Sequence, residues 1–125
     1  MIIHEVEQGS DAWFKLRAGI PTASEFSKVV TTKGVISKSA DTYADRLAYE
    51  FIKGGNAESF EGNEWTDRGK EHEPKARAYY SFMNDVDVQE VGFVTDDGRH
   101  YGCSPDALVN DDGVLEIKIL KPENH

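Results

Sequence analysis

One cysteine, Cys103, stands in 125 residues, so no disulfide framework and no cysteine-rich zinc site can form within the chain. No apolar run reaches the length of a membrane span. The opening MIIHEVEQGS lacks the charged and apolar regions of a secretory signal. These absences read as a soluble, cytoplasmic protein. Basic residues are also scarce: 14 Lys and Arg stand against 23 Asp and Glu, for a formal net charge of -9. That balance argues against a broad nucleic-acid-binding face. It leaves room for a narrow basic groove, or for metal ions that neutralise acidic ligands where they meet a phosphate. What is present is ordinary for a globular domain, with 38% hydrophobic and 30% charged residues. The length suits one domain, residues 1–125, with a single core.

Residues 1–6 suit a short extended segment. Ser10 or Asp11 can cap a short helix through Trp13, Leu16 and Arg17, with Gly19 at its end. Thr22 followed by Glu25 fits a capping box, which predicts a second helix from about Ala23 to Val30. Ser39 or Asp41 opens a third helix, in which Tyr43, Leu47, Ala48, Phe51 and Ile52 recur at helical spacing before Gly54-Gly55. The segment NAESFEGN reads as loop. A fourth helix should carry Ala76, Tyr79, Tyr80 and Met83 on one face, with Pro74 in its first turn or at a kink. From Val86 the period changes to two. VDVQEVGFV, HYGCS, DALVN and VLEIKIL read as strands, with turns at Asp96-Asp97-Gly98 and Asp111-Asp112-Gly113. Helices followed by a strand meander predict an α/β domain whose sheet is covered by helices.

The chemistry concentrates in Ser104-Pro105-Asp106 and, nine residues on, Glu116-Ile117-Lys118. On a strand, Glu116 and Lys118 share a face while Ile117 points to the core. The Asp-Asp-Gly turn can return Glu116 to Asp106. Two close carboxylates repel, and a hard divalent cation resolves the conflict. Lys118 beside it could position or deprotonate water, or stabilise charge on a phosphate. The plainer reading is a charged hairpin with an exposed Glu–Lys pair.

This arrangement resembles the PD-(D/E)xK nuclease signature, reading PD…EIK in full. Arg68-Gly69-Lys70-Glu71-His72-Glu73 resembles the helical motif of RecB-like members of that superfamily. The resemblance implies Glu73 as a further acidic residue at the metal site, with His72 beside it; the plainer reading pairs Glu73 with Arg77 on a solvated helix face. VEQGSDAWFKLRAGIPTASEFSKVV resembles the start of the lambda exonuclease and YqaJ-like viral recombinase family, with E-Q-G, a tryptophan, L-R-x-G and T-A-S in order. In that family the arginine and serine of these motifs help bind a 5′-terminal phosphate, which implies Arg17 and Ser24 here. A hydroxyl and a guanidinium near the first turn of a capped helix suit that task. Ser104 matches a serine near the family's active site that contacts DNA or water. Cys103 reads as a small buried residue, His4, His100 and His125 as structural, and Trp13 as core or a base contact.

The resemblance implies a restriction-endonuclease-like core: a mixed central sheet flanked by helices. It implies Mg²⁺, with Mn²⁺ as a substitute, held by Asp106, Glu116, the Ile117 carbonyl and Glu73, with Lys118 activating water. The implied activity is resection of the 5′ strand of duplex DNA ends, leaving 3′ single-stranded tails for recombination. Implied partners are double-stranded DNA ends, a single-strand annealing protein, and two further copies in a toroidal trimer, whose basic channel and acidic exterior would suit the net charge. A phage or prophage origin follows in the same way. The family pattern is not complete. Ala107 stands where Gly is common and Ile119-Leu120 where Cys-Pro is common. The sequence stops at Lys121-Pro122-Glu123-Asn124-His125, short of the glutamine-bearing helix that follows the E-x-K strand in the family, so it reads as a domain truncated at its C-terminal part, a fragment or a shortened homologue. Two other readings therefore stand beside the exonuclease: an endonuclease or repair nuclease of the same superfamily, and a shortened homologue that binds DNA ends or a partner without cutting.

Overall fold

The computed structural model describes residues 1–54 and 64–120, with side chains throughout except at 64–68. Gly55, the NAESFEGN loop and the Lys121–His125 tail lie outside the described residues. The elements are those of a mixed α/β protein: β1 (Ile2–His4), α1 (Asp11–Arg17), a 3-10 helix (Ala23–Lys28), α2 (Ala40–Lys53), α3 (Glu64–Asn84), β2 (Val88–Gln89), β3 (Phe93–Thr95), β4 (Gly102–Cys103), β5 (Ala107–Val109) and β6 (Gly113–Leu115). The strands pair as two antiparallel three-stranded sheets, ordered β1-β3-β4 and β2-β5-β6. No described helix is long and apolar enough to cross a membrane. The described residues form two compact units, residues 1–54 with 92–104, and residues 64–91 with 105–120.

In the first unit, β3 is the central strand and Phe93, wholly buried, fills its core beside Ile20, Tyr43 and Val94. Helix α1 starts where expected, since Ser10 Oγ accepts from the Trp13 N–H at 3.3 Å. Past its end, Gly19 has φ +75°, and a Cβ there would lie 2.8 Å from Phe51 Cβ, so only glycine suits this crossing. The segment after Thr22 departs from the predicted α-helix. It is a 3-10 helix, Thr22 makes no side-chain cap, and the Glu25 carboxylate turns to Lys28 and Arg46. A capping box needs Glu25 to reach back to the Thr22 N–H. That N–H instead donates to the Tyr43 hydroxyl at 3.2 Å.

Helix α2 ends at Gly54 in the left-handed conformation, as its sequence requires. Its inward stripe runs through Tyr43, Leu47 and Glu50; Phe51 and Ile52, expected in that stripe, are exposed. The reason is the buried Glu50 carboxylate, which accepts from the Gly19 N–H at 3.1 Å and so sets which side of the helix faces in. Phe51, one residue further, is turned about 100° away.

In the second unit, α3 runs from Glu64 to Asn84 with Pro74 in its interior, not in its first turn. Of the expected face, Ala76 is sheltered while Tyr79, Tyr80 and Met83 are exposed; the sheltered stripe also carries Gly69, His72, Glu73 and Arg77. Below it, β5 pairs with β2 and β6, with Ala107 opposite Leu115 and Val109 opposite Gly113. The long Val86–Val94 run is split: β2 belongs to one sheet and β3 to the other. Gly92 marks the break, since a Cβ there would sit 2.0 Å from the Val6 carbonyl oxygen.

Candidate active site and phosphate cleft

The second unit holds the acidic cluster. Asp106 directly precedes β5, and its Oδ2 accepts from the Ile117 N–H at 2.5 Å. This bond ties the Pro-Asp corner to the Glu-Ile-Lys segment, as the hairpin reading expected. β6 ends at Leu115, so Glu116, Ile117 and Lys118 lie just past the ladder and not within it. Exposure still alternates: Glu116 and Lys118 are exposed, Ile117 half-buried. Glu116 Oε1 accepts from Lys118 Nζ, which is the surface pair of the plainer reading. That hydrogen bond, with the Glu116 charge behind it, raises the Lys118 pKa from its ordinary value. Lys118 is therefore an ammonium at neutral pH, able to donate and not to accept.

Glu73 lies on the sheltered face of α3. Its carboxylate meets Arg77 at 3.6 Å, and Arg77 continues to Glu90 at 3.2 Å. The Arg77 pairing is the solvated-face alternative, yet the Arg77 side chain is only 13% exposed, so this is a sheltered bridge. Burial first, then the charge of Asp106, pushes the Glu73 carboxyl above its ordinary pKa; Glu90 and Glu116 add to this and Arg77 opposes it. Among the described residues no three His, Cys, Asp or Glu side chains converge as a closed metal group. Asp106 is turned to the Ile117 amide and Glu116 to Lys118. The donor chemistry nevertheless fits a hard divalent cation, because the carboxylates are hard oxygen donors and the charge that raises Glu73 is one a cation would relieve.

The first unit holds the phosphate candidates. Arg17 is half-buried, its guanidinium carbon 4.0 Å from the Trp13 ring centroid, and Nη1 donates to Ser104 Oγ at 3.3 Å. Burial lowers its pKa, while Glu25, Tyr43 and Glu50 act the other way. Arg17 meets Ser104, not Ser24. Ser24 is exposed and touches Thr22 Oγ1 at 3.4 Å. A small polar cleft is lined by Arg17, Thr22, Glu25, Tyr43, Arg46 and Glu50. Arg46 is tied to Glu25 and Glu50, whereas Arg17 rests on a neutral hydroxyl and a ring face, neither of which cancels its charge.

The Glu25 network has a pH signature. Burial pushes the Glu25 carboxyl up, but hydrogen bonds and charges from Lys28 and Arg46 more than offset it and leave its pKa below the ordinary 4.5. The unfolded chain therefore binds more protons between the two values, so this contribution is present above pH 4.5 and is lost as pH falls through the folded value. Glu25→Gln should flatten the acid limb of stability in urea midpoints followed from neutral pH downward. Parallel acid limbs would rule this network out as a source of stability.

Two of these contacts were beyond sequence reading. Trp13 and Ser104 are 91 residues apart, and Arg46 and Glu25 are 21 apart, so no local spacing signals either. The Glu73–Arg77 spacing was visible; its extension to Glu90 was not.

The fold is shared with solved structures of alkaline exonucleases. LHK-Exo from Laribacter hongkongensis matches with a TM-score of 0.71 and 34% identity, over 92% of this chain and 56% of that one. LHK-Exo in complex with dAMP matches with a TM-score of 0.68 and 34% identity, over 87% and 53% of the two chains. The chain thus has an alkaline-exonuclease fold and spans about half the length of these relatives. Residues 12–125 match the YqaJ-like viral recombinase domain, and the chain belongs to that family. Uncharacterized protein R354 of Acanthamoeba polyphaga mimivirus is 29% identical over 107 residues, 85% of this chain and 18% of that protein.

Proposed function

We propose that this domain is a divalent-cation-dependent deoxyribonuclease that degrades the 5′ strand of duplex DNA ends and leaves 3′ tails for recombination. The observation that carries the reading is the bond from the Ile117 amide to Asp106, which joins the two halves of the PD…EIK pattern. Family membership and the alkaline-exonuclease fold support the same class, and the dAMP complex of LHK-Exo suits a product with a 5′ phosphate. Asp106, Glu116, Glu73 and the Ile117 carbonyl would hold Mg²⁺ or Mn²⁺. Bound there, the cation would polarise a phosphoryl oxygen and acidify water.

The chain's own groups do the rest. Lys118, held protonated by Glu116, donates to a phosphate oxygen or to the attacking water, and can accept a proton only after it has given up one of its own. Arg77 screens Glu73 from its acidic neighbours and keeps that carboxylate aimed. Arg17 and Ser104, with Ser24 at a distance, receive a 5′ phosphate. Double-stranded ends are the substrate, with an annealing protein and two further copies of the chain as partners, in a phage or prophage setting.

The test uses linear duplex with 5′-phosphate ends and a covalently closed circle, each with Mg²⁺. Linear DNA should be consumed and the circle left intact; cutting of the circle would overturn end-dependence, and no cutting of either would overturn the nuclease reading. In the same assay Arg17→Ala should lower the preference for 5′-phosphate over 5′-hydroxyl ends by about tenfold or more, the worth of a charge-assisted contact. An unchanged preference would remove Arg17 from the phosphate site.

A further inference from the structure

Trp13 reads in the sequence as one apolar residue of a short helix, yet two faces of its side chain are engaged with polar groups. The indole N–H is shared between the Gly92 carbonyl oxygen at 3.1 Å and Ser104 Oγ at 3.0 Å. The ring face carries the Arg17 guanidinium at 4.0 Å. Arg17 donates to the same Ser104 Oγ at 3.3 Å, so the three side chains form a closed triangle. Helical spacing makes half of it, because residues four apart on α1 stand on one face. The close approach of β3 makes the other half, since Gly92 leaves its carbonyl within reach of the indole.

A serine hydroxyl has two lone pairs and one proton. Here both lone pairs meet donors, from Trp13 and from Arg17. Toward any further group Ser104 can therefore only donate, which suits an anionic oxygen and excludes a cation. The guanidinium is fixed in plane by the ring below it and the hydroxyl beside it, leaving its remaining N–H groups for a second acceptor. Ordering these groups in advance removes an entropy cost that a ligand would otherwise meet.

We propose that Trp13 is a positioning residue, holding Arg17 and Ser104 as one preformed donor pair for the terminal phosphate monoester of a DNA strand. The inference rests on the reading of Arg17 as the 5′-phosphate receptor. Trp13 acts through its two neighbours and does not itself meet the phosphate. Its N–H decides where the hydroxyl stands, and its ring decides where the guanidinium lies.

The experiment uses the full chain and duplexes with 5′-phosphate or 5′-hydroxyl ends, with binding followed by anisotropy in EDTA and turnover followed with Mg²⁺. Trp13→Phe keeps a ring face and removes the N–H. It should lower the binding preference for phosphorylated ends about five- to tenfold, the size of one neutral hydrogen bond, and the turnover loss should fall mainly on KM. Ser104→Ala should give at least that loss, since it also removes a donor to the phosphate, and the double variant should be no worse than Ser104→Ala alone, because Trp13 acts on the phosphate through Ser104. A folded Trp13→Phe protein that keeps the full preference overturns the proposal, and so do additive losses in the double variant. If Trp13→Phe loses cooperative unfolding, Ser104→Ala decides, and an undiminished preference there overturns it. Preference lost in Arg17→Ala but kept in Trp13→Phe sinks the role of Trp13 alone; a wild-type chain indifferent to the 5′ group sinks the Arg17 reading and this proposal together.

Discussion

Lys118→Ala is expected to lower Mg²⁺-dependent cleavage of linear duplex DNA by about 10²–10⁴-fold, the usual worth of a positioned proton-transfer or water-orienting group. Its stability should stay within about 0.5 kcal/mol of the parent, because Lys118 is exposed and its pair with Glu116 is a surface ion pair. The two readouts must separate for the assignment to stand. A structural role would move the melting temperature and spare the rate; a catalytic role does the reverse. Lys118→Arg sharpens the point. Arginine keeps the positive charge but stays protonated under all working conditions. Substantial activity in Lys118→Arg would mean that charge on the phosphate is what matters, which agrees with the raised pKa of the resting lysine. Activity as low as Lys118→Ala would mean that the amine must give up its proton during turnover. Lys118→Ala cleaving within about twofold of the parent would take Lys118 out of the reaction altogether.

The acidic hairpin was legible because its information is local. Asp106, Glu116 and Lys118 are joined by one tight turn, and the Asp-Asp-Gly signal with period-two patterning places them near one another without knowledge of the rest of the chain. Helices α1 and α2 were legible for the same reason, from Ser10 at one start and Gly54 at one end. What failed were faces and partners, which long-range contacts decide. Glu50 took the inward position on α2 because a backbone N–H from Gly19 was waiting for it. The capping box failed at Thr22 because the Tyr43 hydroxyl took the Thr22 N–H that Glu25 would have reached, and the Glu25 N–H went to the Thr22 carbonyl oxygen. Helix α3 kept Ala76 sheltered but turned Glu73 and Arg77 inward and left Tyr79, Tyr80 and Met83 exposed, against the apolar periodicity. A polar face sheltered in place of an apolar one is where sequence rules are expected to break at a working site. The phosphate candidates divide on the same line: the motif pointed to Arg17 with Ser24, whereas the hydroxyl that Arg17 meets is Ser104, which only the β3 and β4 strands bring to it.

Phe93→Ala should be the most destabilising single substitution in the first unit, by about 3–5 kcal/mol, through lost burial and the cavity left behind. Phe93 is wholly buried at the centre of the β1-β3-β4 sheet, and its ring covers Gly102 so closely that a Cβ there would lie 2.4 Å from Phe93 Cζ. For a chain of this length the change corresponds to a fall of about 10–20 °C in melting temperature, out of a total stability that is typically 5–15 kcal/mol. Gly102→Ala attacks the same contact from the other side by overpacking, at about 1–3 kcal/mol. The two losses should add only in part, since alanine at 93 removes the ring contacts of a Cβ at 102 but leaves the Val94 carbonyl oxygen 2.9 Å from it. Chemical denaturation of the single and double variants measures this directly. A cost below about 1 kcal/mol for Phe93→Ala, or full additivity, would mean that the ring is not the keystone of this unit. The consequence for function is specific. Phe93 follows Gly92, whose carbonyl oxygen accepts from Trp13, and β3 pairs with β4, which leads to Ser104. Partial loosening of β3 in Phe93→Leu, a milder change, should therefore weaken discrimination for 5′-phosphate ends before it unfolds the chain, because the proposed receptor is assembled against that strand.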